Sequence, residues 1–339
     1  MIEARLWKTL KDGVVQCRLC NHYCTIKPDE RGRCGVRENR DGTLYSLNYG
    51  KVAALNLDPV EKKPLYHFQP GSMTFSFATM GCNLACTFCQ NWSLSQPPRT
   101  GGPIRGQEAT PEELVAEAMR LGAASISYTY SEPTIFFELM QDTARLAHAQ
   151  GLKNIMVSNG FMSRECLDAL GGDIDAINVD LKCFTEEFYT DISGARLKPV
   201  LDNLKHIKHE LKWWLEVTTL LIPGKNDSPE ELDRLTGFLT DEIGTDTPWH
   251  ISRFHPDYQM TDAPPTSGDS LDTAYDMGKA KGLKYVYIGN MPGSNKQDTL
   301  CPGCGRELIN RSGFSARTQG MRDGKCQACG QTIHGVDLT

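Results

Sequence analysis

The sequence predicts an α/β fold built on parallel strands, with a small cysteine-rich module at each end. Three observations carry that expectation. Between residues 73 and 290 short apolar runs alternate with amphipathic stretches that begin in helix caps, the pattern of a parallel sheet or barrel joined by right-handed crossovers. The flanking residues 1–72 and 291–339 lose that alternation and become rich in turns. Most of the thirteen cysteines stand in three tight groups, one in each of the three segments. A chain of 339 residues has room for one large domain of about 200–250 residues and two small appendages.

The first appendage, residues 1–72, holds Cys17, Cys20, Cys24 and Cys34. In a reducing compartment clustered thiols serve metals or catalysis rather than disulfides. This quartet suits zinc or an auxiliary iron–sulfur cluster, with His22 able to replace one thiolate. The turn "GRCGVR" resembles a knuckle and favours zinc or a purely structural role.

The central segment, residues 73–290, supplies seven candidate strands: 73–79, 125–130, 154–159, 175–181, 215–222, 250–255 and 285–290. Helices are expected between them. "TPEELVAEAMRLG" offers Thr110 as N-cap, Pro111 at the first helical position, Glu113 to close a capping box and Gly122 as a stop. "SPEELDRLTGFL" repeats the device with Ser228, Pro229 and Glu231. The stretch 96–111, rich in proline and glycine, reads as a loop and a candidate lid. In "KPVLDNLKHIKHELKWW", Leu201, Leu204, Ile207 and Leu211 share one helical face, and Lys205, Lys208 and Lys212 form a solvated one. Trp213 and Trp214 are expected to anchor a strand rather than stack on bases.

Parallel folds place their chemistry at the carboxyl ends of the strands. Directly after the first candidate strand stands "MGCNLACTFCQN", with Cys82, Cys86 and Cys89 in a C-x3-C-x2-C triplet and Gly81 allowing a sharp turn. Three thiolates fill three corners of a 4Fe–4S cluster and leave one iron open to an amino-acid-like ligand. Lone Cys166 and Cys183 are expected to be small buried hydrophobes.

The C-terminal appendage, residues 291–339, holds Cys301-x2-Cys304 and Cys326-x2-Cys329 around an expected hairpin, with Gly305 and Gly330 permitting tight turns. That spacing is a four-thiolate signature, with zinc as the expected ion in a ribbon-like domain.

The net charge of -6 gives no global pull toward nucleic acid or anionic membrane. No apolar run approaches the roughly 18 residues of a membrane span, and the first residues lack the apolar core of a signal peptide. A cytoplasmic location is expected.

The triplet, with aromatic Phe88 before its last cysteine, resembles the signature of the radical S-adenosylmethionine (SAM) superfamily. That resemblance implies a partial (β/α)6 barrel of radical SAM type. "YSEP" looks like the superfamily's glycine-glycine-glutamate-proline segment, with Tyr130 and Ser131 in place of the glycines and Glu132 retained. Within the superfamily the chain is similar to activating enzymes of glycyl-radical proteins, such as pyruvate formate-lyase activating enzyme. "VSNGF" looks like their third-strand motif, with Ser158 and Asn159 near the cofactor and Val157 where an aspartate is usual. "VDLK" implies Asp180 and Lys182 near the methionyl carboxylate, and "RFHP" implies His255 as a cofactor contact. With its flanks included, the chain resembles the radical partner of AMMECR1-like and Memo-like proteins. The resemblance implies a 4Fe–4S cluster, SAM, a reductant such as flavodoxin or ferredoxin, and hydrogen abstraction from an unnamed substrate. A non-catalytic, metal-stapled module for protein or RNA is the competing reading.

Overall fold

All seven candidate strands form, and they pair in parallel. In the computed structural model, which describes residues 1–291 and 293–338, they are β2 (Met73–Ala78), β3 (Ser125–Tyr128), β4 (Lys153–Ser158), β5 (Ala176–Asp180), β6 (Trp214–Leu221), β7 (Trp249–Arg253) and β8 (Val286–Gly289). An edge strand, β1 (Ala54–Pro59), precedes them and pairs antiparallel with β2, Ala54 opposite Ala78 and Pro59 opposite Met73. The spatial order β8-β7-β6-β5-β4-β3-β2-β1 is the chain order reversed. Such an order follows from six successive crossovers of one hand. The sheet is an open one with β1 and β8 as its ends. Crossovers of one hand running in one direction set all six helices on one face, and the strands read as near-continuous apolar runs; β2 and β3 expose almost nothing.

The six linking helices are α1 (Pro111–Arg120), α2 (Phe137–Ala149), α3 (Arg164–Leu170), α4 (Leu197–His206), α5 (Pro229–Phe238) and α6 (Gly268–Ala280). At α1 the capping box is complete: Thr110 Oγ1 accepts from Glu113 N–H and the Glu113 carboxylate accepts from Thr110 N–H. At α5 only half of it forms. Ser228 Oγ accepts from Glu231 N–H, but Glu231 Oε1 accepts instead from Phe184 N–H at 2.7 Å, tying α5 to the loop after β5. Along α4 and the helical turn Ile207–Leu211 that continues it, Leu204 and Ile207 are buried, while Lys208 pairs with Asp246 at 3.0 Å and Lys205 with Glu242 at 3.5 Å. Trp213 is buried and donates to Gly171 O; Trp214 opens β6 and donates to Glu216. Both tryptophans therefore anchor the strand.

The N-terminal segment is knitted onto the helical side of the sheet. Trp7–Thr9, Val15–Cys17 and Thr25–Ile26 form a small antiparallel sheet. Buried Arg37 reaches Glu138 on α2 at 2.7 Å, and Glu138 also accepts from Arg5 N–H. Residues 60–68 run beneath the amino ends of β5 to β8, where Glu216 accepts from the Tyr66 and His67 amides. There Tyr66, Tyr285 and Tyr287 pack against Leu308, Ile309, Met321, Ile333 and Leu338, so the C-terminal ribbon closes the amino end of the sheet. The expected hairpin is Glu307–Ser312 with Ser315–Thr318. The opposite, carboxyl end faces the cysteine triplet.

Candidate functional site

The triplet loop leaves β2 through Met80 and Gly81. Gly81 has φ of +116°, and a Cβ there would meet Val36 Cγ1 at 2.9 Å, so glycine is required both by the turn and by the approach of the N-terminal segment. Beyond it the three sulfurs are each met by polar groups. Leu84 N–H approaches Cys82 Sγ at 3.4 Å, and Asn159 Nδ2 lies at 3.8 Å from the same sulfur. Ser95 Oγ is 3.2 Å from Cys89 Sγ. Ser193 lies beside Cys86, and its buried hydroxyl has no oxygen or nitrogen partner. Asn83 Nδ2 is likewise buried and orphaned next to Cys82. Donors gathered around three thiols, two of them without another partner, fit sulfurs that carry charge as metal ligands. Burial by itself pushes the Cys82 and Cys86 thiols up, with nearby Lys182 drawing Cys86 down. Coordination to a metal deprotonates a thiol outright.

The strand-end residues converge on this loop. Glu132, after β3, is fully buried and accepts from Thr134 N–H and Oγ1, Ser158 Oγ at 2.8 Å and Asn159 N–H at 2.8 Å. It therefore caps the turn Pro133–Phe136 and also joins β3 to β4. Burial raises its carboxyl against these hydrogen bonds. Asn159 Nδ2 continues to Asn83 Oδ1 at 2.8 Å, so Glu132, Asn159, Asn83 and Cys82 form one chain of contacts. After β5, Lys182 Nζ lies 3.1 Å from Asp180 and 5.6 Å from the Phe88 ring centroid. Burial opposes its charge, but Asp180, Cys86 and Tyr189 hold the ammonium well above its usual range. His255, after β7, is exposed with Nδ1 at 3.1 Å from Gln90 Nε2 of the triplet loop. Of the six predicted strand-end residues, Asn159, Lys182 and His255 approach the triplet loop directly, and Glu132, Ser158 and Asp180 reach it through them.

Several members of this site were not legible in the sequence. Tyr130 replaces a glycine of the resembling motif yet keeps a glycine-like backbone, with φ of +61°. That conformation costs a non-glycine residue about 1 kcal/mol or more. It is held by a hydrogen bond from Tyr130 Oη to Asp58, by Asn56 Nδ2 at 3.1 Å, and by Lys63 Nζ 4.5 Å over the ring. Asn91 Nδ2 meanwhile donates to Tyr130 O at 2.9 Å. Trp92 and Tyr258 stack with centroids 5.4 Å apart beside His255, leaving Trp92 42% exposed. The segment 96–111, a candidate lid by composition, is instead anchored: Arg99 donates to the Cys82 and Asn83 carbonyls, and Gln107–Glu108 pairs with Lys51–Val52.

The flanking cysteines differ from one another. Cys301 and Cys329 sulfurs are 3.5 Å apart, Cys304 and Cys326 sulfurs 3.7 Å, and all four lie within 4.8 Å. A tetrahedral zinc with bonds of about 2.3 Å sets its sulfurs about 3.8 Å apart, so this group is drawn to the size of one ion. Gly305 and Gly330 take positive φ at the two knuckle turns, as their spacing required. Among the described residues no other group of three ligands reaches that separation. Cys17, Cys20, Cys24 and Cys34 are all free and near enough to act on one another's charge, but no three of their sulfurs lie within 4.8 Å of one another. His22, an alternative ligand in the sequence, turns Nε2 to Asn83 O at 2.8 Å. Cys166 and Cys183 are fully buried, as expected of small hydrophobes.

Comparison with known proteins agrees with this geometry. Residues 77–236 match the family model described as the radical SAM superfamily, a span that includes the triplet and every strand-end residue except His255. The chain is 45% identical to an uncharacterized protein of Methanocaldococcus jannaschii, over 98% of this chain and 99% of that one. It is 25% identical to the pyruvate formate-lyase-activating enzyme of Listeria monocytogenes, over 50% of this chain and 70% of that one. A radical SAM methyltransferase structure from Sphaerobacter thermophilus superposes with a TM-score of 0.51 at 16% identity, over 71% of each chain, and shares the fold.

Proposed function

The chain belongs to the radical SAM superfamily, and from that premise we propose that Cys82, Cys86 and Cys89 hold a 4Fe–4S cluster with one iron open to SAM, in an enzyme that abstracts hydrogen from a protein, peptide or small-molecule substrate. When bound, cluster and SAM together supply reductive cleavage to a 5'-deoxyadenosyl radical. The observation that carries this reading is the contact chain from Glu132 through Asn159 and Asn83 to Cys82.

The residues divide the work of binding. Glu132 Oε1 accepts three hydrogen bonds but Oε2 only that from Asn159 N–H, so Oε2 keeps capacity for the methionyl ammonium. Ser158 and Asn159 fix the carboxylate in place. Lys182, kept charged by Asp180, is the cation on hand for the methionyl carboxylate. His255, at the exposed rim, closes the far side with Gln90. Phe88 and the buried wall behind it keep water from the inner side of the loop, which strengthens the contacts of Glu132 and Lys182.

The similarity to an activating enzyme makes a glycyl residue of a partner protein one candidate hydrogen donor. Resemblance of the flanks adds AMMECR1-like and Memo-like proteins as partners, and flavodoxin or ferredoxin as reductant. The C-terminal quartet would hold zinc and staple a ribbon whose own core is small. The test is electron paramagnetic resonance of the reduced, anaerobically reconstituted protein: SAM is expected to alter the cluster signal. A signal indifferent to SAM would remove the open-iron reading.

A further inference from the structure

We propose that Cys17, Cys20, Cys24 and Cys34 hold a second iron–sulfur cluster, rather than zinc, and that it is the port through which an acidic electron-carrier protein reduces the triplet cluster. The inference rests on the radical reading above and adds a cofactor and a route to it.

The quartet is assembled by its own backbone. Cys17 N–H donates to Cys24 O at 2.9 Å, Tyr23 N–H to Cys20 O at 3.0 Å, and Gly35 N–H to Gly32 O at 2.9 Å, which folds the Cys34 loop back on the others. Gly32 lies against Cys24, where a Cβ would meet its sulfur at 3.8 Å. The thiols are close enough that Cys20 feels the charge of the other three. Yet they are not drawn to the one-ion separation of Cys301, Cys304, Cys326 and Cys329. A polynuclear cluster, with each sulfur on its own iron, spreads its thiolates farther than one zinc does.

A second observation points to an anionic occupant. Arg37 is 1% exposed, acts on both Cys17 and Cys34, and its Nε–H has no partner although its other end is paired with Glu138. A buried donor left unmatched beside thiols is costly unless something negative meets it. Four thiolates around a cluster supply that charge.

Position gives the function. Cys20 bridges to Met162, Asn21 N–H donates to Phe161 O, and His22 Nε2 sits 2.8 Å from Asn83 O, one residue beyond Cys82. Arg99 binds that same carbonyl at 3.1 Å. The quartet is therefore joined to the triplet loop by direct contacts. Arg33, Arg99 and Arg196 lie near enough to His22 to act on its charge, and a surface cavity of about 490 Å³ beside Asn21 and Tyr23 carries Arg164, Arg196 and Lys198. In that cavity Lys198 and Asp202 pair and cancel, and Glu186, which accepts from Leu197 N–H, offsets one further charge, so the arginines leave the face net positive. This local positive face, on a chain of net charge -6, complements an acidic partner. In each transfer the second cluster loses one electron, the triplet cluster gains it, and the reduced carrier restores it.

Two measurements test this. In the Cys82→Ala, Cys86→Ala, Cys89→Ala variant, anaerobic reconstitution is expected to leave about four irons and four sulfides per chain with a cluster resonance; an iron-free variant with zinc at the quartet would overturn the site. For the route, 5'-deoxyadenosine formation is driven by reduced flavodoxin or by dithionite. In His22→Ala, and separately in Cys34→Ser, the flavodoxin-to-dithionite ratio is expected to fall about 10- to 100-fold, with full iron retained in His22→Ala. An unchanged ratio in both variants would overturn the relay. Wild type that forms no 5'-deoxyadenosine with either reductant would remove the radical reading and the relay, while the iron of the triple variant would still decide the second cluster.

Discussion

Glu132→Gln is the substitution that most sharply probes the contact chain at the site. The side chain keeps its shape but retains one acceptor oxygen. Three donors converge on Oε1, from Thr134 N–H, Thr134 Oγ1 and Ser158 Oγ, against one on Oε2, from Asn159 N–H. The amide oxygen therefore takes the Oε1 position, and the new NH2 confronts Asn159 N–H, donor against donor. Losing a charge-assisted bond and opposing two buried donors costs about 2–3 kcal/mol. Asn159 can escape only by moving, and it carries Asn83 and the Cys82 loop with it. The binding-competent arrangement is then depleted by about 30- to 150-fold, and the apparent Kd for SAM rises by that factor. Anaerobic equilibrium dialysis of the reconstituted variant, with iron content checked against wild type, reads the change. A Kd within about twofold of wild type, at equal iron, would refute the reasoning.

Three further outcomes follow from other parts of the molecule. Burial pushes the His67 imidazole down to about 4, where it donates one ring nitrogen's proton to His334 O and accepts from Tyr287 Oη. The unfolded chain protonates first as pH falls, so this contribution is intact above about 6.5 and fades toward 4, by about 3 kcal/mol at most. Urea midpoints at pH 7.5 and 4.5 should show a loss that His67→Asn reduces; equal slopes would contradict it. Cys304→Ser should abolish binding of the zinc proposed for the C-terminal quartet and open residues 299–338 to proteolysis while the parallel sheet survives, measured by zinc content and mass mapping; retained zinc would count against the four-thiolate site. Gly35→Ala would place a Cβ 2.0 Å from Pro98 O at a φ of +72°, costing about 2–4 kcal/mol and lowering the thermal midpoint, with an unaltered midpoint the contrary result.

The parallel core was readable because its strands are buried on both faces and its helices begin in side-chain caps, signals that lie within a few residues of one another. β1 was not, since "ALNLDP" is a half-exposed edge strand whose Asn56 and Asp58 serve Tyr130 rather than the apolar core. Tyr130 itself illustrates what a motif hides: the glycine is gone but its backbone conformation remains, secured by residues about 70 positions earlier in the chain. Glu231 had the sequence of a capping box and another donor, Phe184 N–H, took it. The buried group of Glu216, His250, His67 and Tyr287 lies within strands and a connecting segment that pattern alone would fill with apolar residues. The knuckle turn of "GRCGVR" favoured zinc at the N-terminal quartet, whereas the openness of that quartet and the orphaned Arg37 donor favour a larger anionic group. Long-range polar pairing, invisible to spacing, is the common cause of these differences.

The central claim is that the cysteine triplet supports cleavage of SAM, and its most direct measurement is 5'-deoxyadenosine formation under anaerobic conditions with dithionite. Wild type is compared with the Cys82→Ala, Cys86→Ala, Cys89→Ala variant. Product from wild type and none from the variant is the predicted result. Equal product from both, or none from wild type loaded with its full complement of iron, would contradict the account.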